Sequence, residues 1–251
     1  MPPDLRDLHA TLDAAFEEAI QPSIRSKEPI GVLFSGGVDS ALLAWELRSR
    51  PGVLLSTMGR EGSPDLRAGE AGAAHFGLPW ERVALDDAVI VRSLDRFSSE
   101  LRGLSSLSRA ILLSLAIAIE GATPDRLVCG QGVDELFLGY AHYRGLSESE
   151  AARRSREDLT RLRETDWPRT QRIAASLEKE VVAPYLAPSF ESAATRVPIA
   201  LRLPGDLPKR FFREWAVARG LPPELAHRPK KSLQYGSGVD ALLRRLPRPR
   251  P

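Results

Sequence analysis

The chain reads as an α/β protein: a doubly wound, mostly parallel sheet with a C-terminal helical annex. Two observations carry that reading. Short apolar runs alternate with helical patterns through the first half, which implies parallel strands joined by crossover helices. Two of the strand-to-helix turns, SGGVDS (35–40) and CGQGVDE (129–135), also share one pattern of glycines followed by an acid that opens a helix. In such sheets a ligand sits at the carboxyl ends of the strands, where both turns lie.

The elements follow in order. Residues 1–28 contain MPPDLRDLHATLDAAFEEAI, acidic and amphipathic, and are expected to form an N-terminal helix rather than a leader peptide. The α/β core is expected over 29–145, with strands at Ile30 to Phe34, Val53 to Met58, Arg82 to Leu85 and Arg126 to Cys129. Between them lie helical patterns at Ser40 to Arg48, Asp65 to Phe76 and Asp86 to Ile119. The pattern changes after Tyr143. Ser147 and Glu150 form a capping-box signature opening a charged helix to Glu164, and Pro208 to Arg219 reads as a second helix stopped by Gly220. Residues 146–245 are therefore expected to be the annex that completes the site, and 246–251 a basic, proline-rich tail.

Composition limits the function classes. With 251 residues, 43% hydrophobic and 27% charged, the chain can bury a sizeable core. A net charge of +2 is near balance and gives little reason to expect nucleic acid or a membrane surface as partner. The single cysteine, Cys129, excludes an internal disulfide framework, and the four histidines lack ligand spacing, so a protein-built zinc site is not expected. A soluble protein of a reducing cytoplasm is the default expectation, since no apolar stretch reaches spanning length.

SGGVDS resembles a phosphate-cradling loop at a helix start, but no lysine follows its glycines, so the GxxxxGK[ST] loop is excluded. Its centre instead carries Asp39, and the second turn carries Asp134. An unscreened carboxylate about 4 Å from a phosphate costs about 4 kcal/mol even at an effective dielectric of 20. A magnesium ion reverses that sign, so Asp39 and Asp134 are expected to hold Mg²⁺ for ATP or pyrophosphate. Glu135, in contrast, reads as an acid complementing a helix dipole.

With those residues in view, a family resemblance emerges. SGGVDS is similar to the pyrophosphate loop of the N-type ATP pyrophosphatases, and CGQGVDELFLGYAHY resembles, more narrowly, the second signature of the asparagine synthetase synthetase domain. GREGSPDLRAGEAGAAHFG (59–77) is similar to that family's segment after the second strand. The resemblance is strong over about 29–143 and thins to patches beyond. It implies an adenine nucleotide alpha hydrolase-like fold and cleavage of ATP between its α and β phosphates to form an acyl adenylate. It places adenosine and phosphates against Leu33, Ser35, Gly36, Gly37, Asp39, Ser40, Met58, Cys129, Gly130 and Gly132. Lys209, opening a K-x-x-x-R helix with Arg213, and Lys230 fall on its pyrophosphate side. On the residues alone, Cys129 reads as a buried strand residue, and Lys230 and Lys231 as solvated surface.

Three departures shape the expected function. Only residues 1–28 precede the first strand, so in-chain glutamine hydrolysis is not expected, and free ammonia or a separate glutaminase would supply nitrogen. Gln131 stands where the family carries an acid beside the adenylate, and an amide cannot accept the proton of an attacking amine. The family's substrate loop has an arginine and an aspartate that the segment Glu180 to Ala187 lacks. The expected function is an ATP- and Mg²⁺-dependent amide-forming ligase acting on a small carboxylate, with aspartate leading. The alternatives are a transfer-RNA or nucleotide-modifying enzyme that adenylates a base, and a non-catalytic nucleotide-binding subunit. Oligomeric state, a homo-oligomer included, stays open.

Overall fold

The computed structural model describes residues 4–25, 27–203, 205, 207–228 and 239. Lys230, Lys231 and the tail 246–251 lie outside the described residues.

Five parallel strands form one sheet in the order β3-β2-β1-β4-β5: β1 Ile30–Leu33, β2 Val53–Gly59, β3 Trp80–Ala84, β4 Arg126–Val128 and β5 Glu180–Val182. The register pairs Ile30 with Val53 on one side and with Arg126 on the other. β1 is buried along its whole length, as its continuous apolar run requires. After β1 the chain winds outward through α2 (Val38–Leu47) to β2 and through α3 (Pro64–Phe76) to β3. It then returns through α4 (Asp87–Arg96), α5 (Ser98–Leu101) and α6 (Ser106–Gly121) to β4, on the far side of β1. Right-handed crossovers put α2 and α3 on one face and α6 on the other. The winding reverses between β1 and β4, the strands that end in the two acid-bearing turns.

Several element boundaries differ from the sequence reading. The third strand spans Trp80–Ala84 rather than Arg82 to Leu85, because the Trp80 indole donates to Thr57 Oγ1 at 2.9 Å and sets the register against Leu55. The long helical region expected over Asp86 to Ile119 is divided into three helices. Asp86 caps α4 by accepting from Val89 N at 2.7 Å, the chain turns at Gly103, and Ser105 starts α6 by accepting from Ser108 N at 3.1 Å. β5 was not foreseen: a three-residue strand inside 146–245 completes the sheet, pairing Arg126 with Glu180.

The remaining helices are α1 (Leu5–Arg25), α7 (Val133–Leu136), α8 (Glu148–Arg161), α9 (Trp167–Ser176), α10 (Pro188–Arg196), α11 (Ile199–Arg202), α12 (Arg210–Ala218) and α13 (Pro223–Ala226). The expected capping box is present: Ser147 Oγ accepts from Glu150 N at 3.4 Å, and Glu150 accepts from Ser147 N at 3.0 Å. A π turn at Leu162–Asp166 joins α8 to α9, which tolerates Pro168 because proline falls in its first turn. Gly220 ends α12 in a left-handed conformation, as expected. One continuous apolar core includes Leu12 and Phe16 of α1, the sheet, and Phe211, Phe212 and Trp215 of α12. Among the described residues, no helix is long and apolar enough to cross a membrane.

Candidate functional site

SGGVDS leaves the end of β1 and enters α2. Gly36 takes a left-handed conformation, φ 67°, which a glycine adopts without strain. The two serines fix the loop: Ser40 Oγ donates to Gly37 O at 3.1 Å and accepts from Ser35 N at 3.2 Å. Asp39 then lies in the first turn of α2, and the Tyr185 hydroxyl holds its backbone carbonyl at 2.9 Å. The second turn leaves β4 and places Asp134 in the first turn of α7.

Lys209 joins the two turns. Its Nζ lies 2.7 Å from Asp39 Oδ2 and 2.8 Å from Asp134 Oδ1. The lysine is nearly buried, 8% exposed, and sits in a left-handed conformation, φ 60°, just ahead of α12. That conformation corrects the expected helix start at Pro208, because α12 begins only at Arg210. Burial alone would lower the ammonium pKa, but Asp134 and Asp39 outweigh it and hold it above the ordinary lysine range. Gly139 makes the bridge sterically feasible: a Cβ there would stand 2.0 Å from Asp134 Oδ1 and 2.2 Å from Lys209 Cε.

These groups open into a cavity of about 540 Å³. Leu33, Ser35, Gly37, Asp39, Ser40, Met58, Cys129, Gly130, Gln131, Asp134 and Lys209, all expected at a nucleotide site, line it together. Gly36 and Gly132 are not among the lining residues, and Lys230 is outside the described residues. One end is apolar, built from Leu33 and Met58 with Ile111, Leu115 and Ala118 of α6. The α6 residues were missed, although their spacing on one helix face was legible. Asp65, Tyr140, Arg144 and Arg213 also line the cavity. Cys129 is buried at its floor, and burial pushes the thiol pKa up to about 12, so it is a packing residue rather than a nucleophile.

Glu135 does more than complement a helix dipole. It is buried and accepts from the Tyr140 hydroxyl at 2.6 Å, and α7 is only four residues long. Burial first, and the neighbouring Asp134 second, push its carboxyl up to about 7. The Glu180 to Ala187 segment, compared above with a substrate loop, is largely internal: Tyr185 is fully buried, and Pro184 and Leu186 are buried beside it.

The donor set suits a magnesium ion shared with a phosphate. Two carboxylates from different turns converge on one cation's position, and Mg²⁺ is usually held by one or two carboxylates plus phosphate oxygens and water. Among the described residues, no cluster of three or more acidic, histidine or cysteine side chains could hold a metal by itself.

Comparison with known proteins agrees with this geometry. The family model described as asparagine synthase matches residues 11–156 and 144–248. The asparagine synthetase [glutamine-hydrolyzing] of Gallus gallus is 29% identical over 247 residues, covering 93% of this chain and 44% of that protein. A putative asparagine synthetase [glutamine-hydrolyzing] 1 of Methanocaldococcus jannaschii is 24% identical over 271 residues, covering 92% of this chain and 50% of that one. The chain thus spans about half the length of these curated relatives. Among solved structures, the U34-tRNA thiolase NcsA of Methanococcus maripaludis aligns at a TM-score of 0.39 and 14% identity, over 95% of this chain and 81% of that chain. With matches running almost end to end over a chain whose two acid-bearing turns meet at one lysine, this protein belongs to the asparagine synthase family.

Proposed function

We propose that the chain is an ATP-dependent amide-forming ligase that adenylates a small carboxylate and passes the acyl group to a nitrogen nucleophile. The observation that carries this reading is the Asp39–Lys209–Asp134 bridge at the switch point of the sheet, with an apolar recess beside it. Leu33, Met58, Leu115 and Ala118 suit adenine. The start of α2 within SGGVDS and the Lys209 ammonium suit a polyphosphate. As the α–β phosphate bond breaks, negative charge builds on the departing pyrophosphate, and a preorganised, nearly buried ammonium stabilises it without reorganising. Asp39 and Asp134 would hold Mg²⁺, whose charge would polarise the phosphates.

Aspartate and ammonia are the leading acceptor and donor, by analogy with the family. The acceptor would meet Gln131, Tyr140 and Arg144 on the cavity wall, and Arg144, exposed at the rim, supplies a cation for a second acidic group. The test is ATP–pyrophosphate exchange with radiolabelled pyrophosphate across a panel of carboxylic acids, aspartate included. Exchange stimulated by one acid names the substrate class. Exchange with no acid in the panel overturns the reading.

A further inference from the structure

Against the pyrophosphate loop stands a cation that the cavity wall does not include. Arg228 follows α13 in the chain, and its Nη1 donates to the Gly36 carbonyl at 3.0 Å. Among the described residues its guanidinium makes no ion pair within 4 Å. The approach is close enough to require a glycine, since a Cβ at Gly36 would stand 2.3 Å from Nη1. Arg213 holds this segment in place. Its Nη1 donates to the carbonyls of Ala226 and, at 3.4 Å, Arg228, while its Nε donates at 2.9 Å to Pro208 O, the carbonyl preceding Lys209.

The peptide joining Gly36 to Gly37 is trans, so its C=O and N–H point in opposite directions. The carbonyl is held toward Arg228. Gly36 and Arg228 are absent from the cavity lining, whereas Ser35 and Gly37 form part of it. The Gly37 N–H is therefore turned away from Arg228, and among the described residues no acceptor takes it. Two adjacent glycines would otherwise leave this peptide free to flip and present a carbonyl oxygen to the phosphates.

We propose that Arg228 is a positioning residue of the pyrophosphate subsite: it locks the Gly36–Gly37 peptide so that the Gly37 N–H faces the phosphates. Arg213 couples that lock to Lys209, so the amide and the ammonium are set as one unit. This rests on the ATP reading above.

The test is calorimetric titration of the full chain with magnesium ATP, magnesium pyrophosphate and AMP, comparing the parent with Arg228→Met and Arg228→Lys. Arg228→Met should weaken magnesium ATP and magnesium pyrophosphate about tenfold or more while AMP stays within about twofold, because one hydrogen bond to the charged phosphates is lost. Arg228→Lys, which keeps a donor, should recover part of the loss. Parent-like binding of ATP and pyrophosphate by Arg228→Met overturns the proposal and leaves the ATP site standing. Equal loss of AMP also overturns it, because that marks general disruption rather than peptide orientation. A parent protein that binds none of the three overturns the ATP reading, and this proposal with it.

Discussion

Lys209 is held in a left-handed conformation that costs a non-glycine residue about 1 kcal/mol, and the ion bridge is what holds it there. Lys209→Met should lower ATP–pyrophosphate exchange at least about a hundredfold, the scale set by removing one preorganised donor from a developing anion. Lys209→Arg should restore little, since a planar fork cannot replace a point charge between two carboxylates. Removing the ammonium also leaves Asp39 and Asp134 facing each other, which should cost about 1–2 kcal/mol in urea unfolding because both acids are partly solvated. The sign with pH follows from the raised lysine pKa. Stabilisation by the ammonium is complete below the ordinary lysine range and is lost only as pH climbs through the folded value, so the difference between parent and Lys209→Met should stay flat from pH 6 to 9. Gln131 raises a separate question, because ammonia sheds a proton as it attacks and an amide cannot take it. Gln131→Glu should leave pyrophosphate exchange within a few-fold of the parent while raising ammonia-dependent amide formation near pH 7.5. Lost exchange with no gain in amide would mean that Gln131 contacts the acceptor directly.

At the scale of elements, α8 is tied to the turn that follows the second acid motif. Buried Asp158 accepts from the Tyr143 hydroxyl at 2.8 Å and from Arg161 at 2.8 Å, and pairs with His142 Nε2 at 2.7 Å. Burial by itself would raise this carboxyl, but the Tyr143 and His142 contacts and the Arg161 charge outweigh it and hold it below the usual carboxylate range. A depressed folded pKa stabilises above the unfolded value, and that stabilisation is lost as pH falls through the folded one. Asp158→Asn should therefore cost about 2 kcal/mol in urea unfolding at pH 7, with the gap to the parent narrowing as pH falls below the ordinary carboxylate range. A gap that does not narrow at all on acidification would show that the contribution is packing rather than charge. The sequence made some elements visible and hid others for physical reasons. β1 to β4 announce themselves as apolar runs before glycine or polar turns, and the repeated glycine-and-acid pattern pointed to Asp39 and Asp134. β5 is three residues long and gains its identity only from pairing with β4. The break between α4 and α6 rests on Gly103 and a serine cap inside an otherwise periodic stretch. The contact of Arg228 with Gly36 could not be read from the sequence, because it spans 192 residues of chain.

Across the whole molecule, the N-terminal helix reaches the site through a short relay. Phe16 of α1 is fully buried and stacks on Tyr185, with ring centroids 5.4 Å apart and planes at 9°; the same tyrosine holds the Asp39 carbonyl at 2.9 Å. A second link runs through Arg219, which bonds Asp13 of α1 at 2.7 Å and Glu46 of α2 at 3.0 Å, while the Trp215 indole donates to the same Asp13 at 2.9 Å. Because α1 shares one continuous core with the sheet and α12, it has no apolar cluster of its own on which to unfold separately. Phe16→Ala should therefore lower global stability by about 3–5 kcal/mol, the cost of an aromatic cavity in a packed core. It should do so without creating a second transition. Loss of the stacking partner should also loosen Tyr185 and weaken magnesium ATP binding several-fold, although residue 16 does not line the cavity. The measurement is urea unfolding followed by far-ultraviolet circular dichroism and by fluorescence of the four tryptophans, paired with calorimetric titration of the nucleotide. Coincident curves displaced to lower urea, with weaker nucleotide binding, are the expected result. Two separated transitions, or parent-like ATP affinity in a destabilised variant, would mean that α1 packs against the site without positioning it.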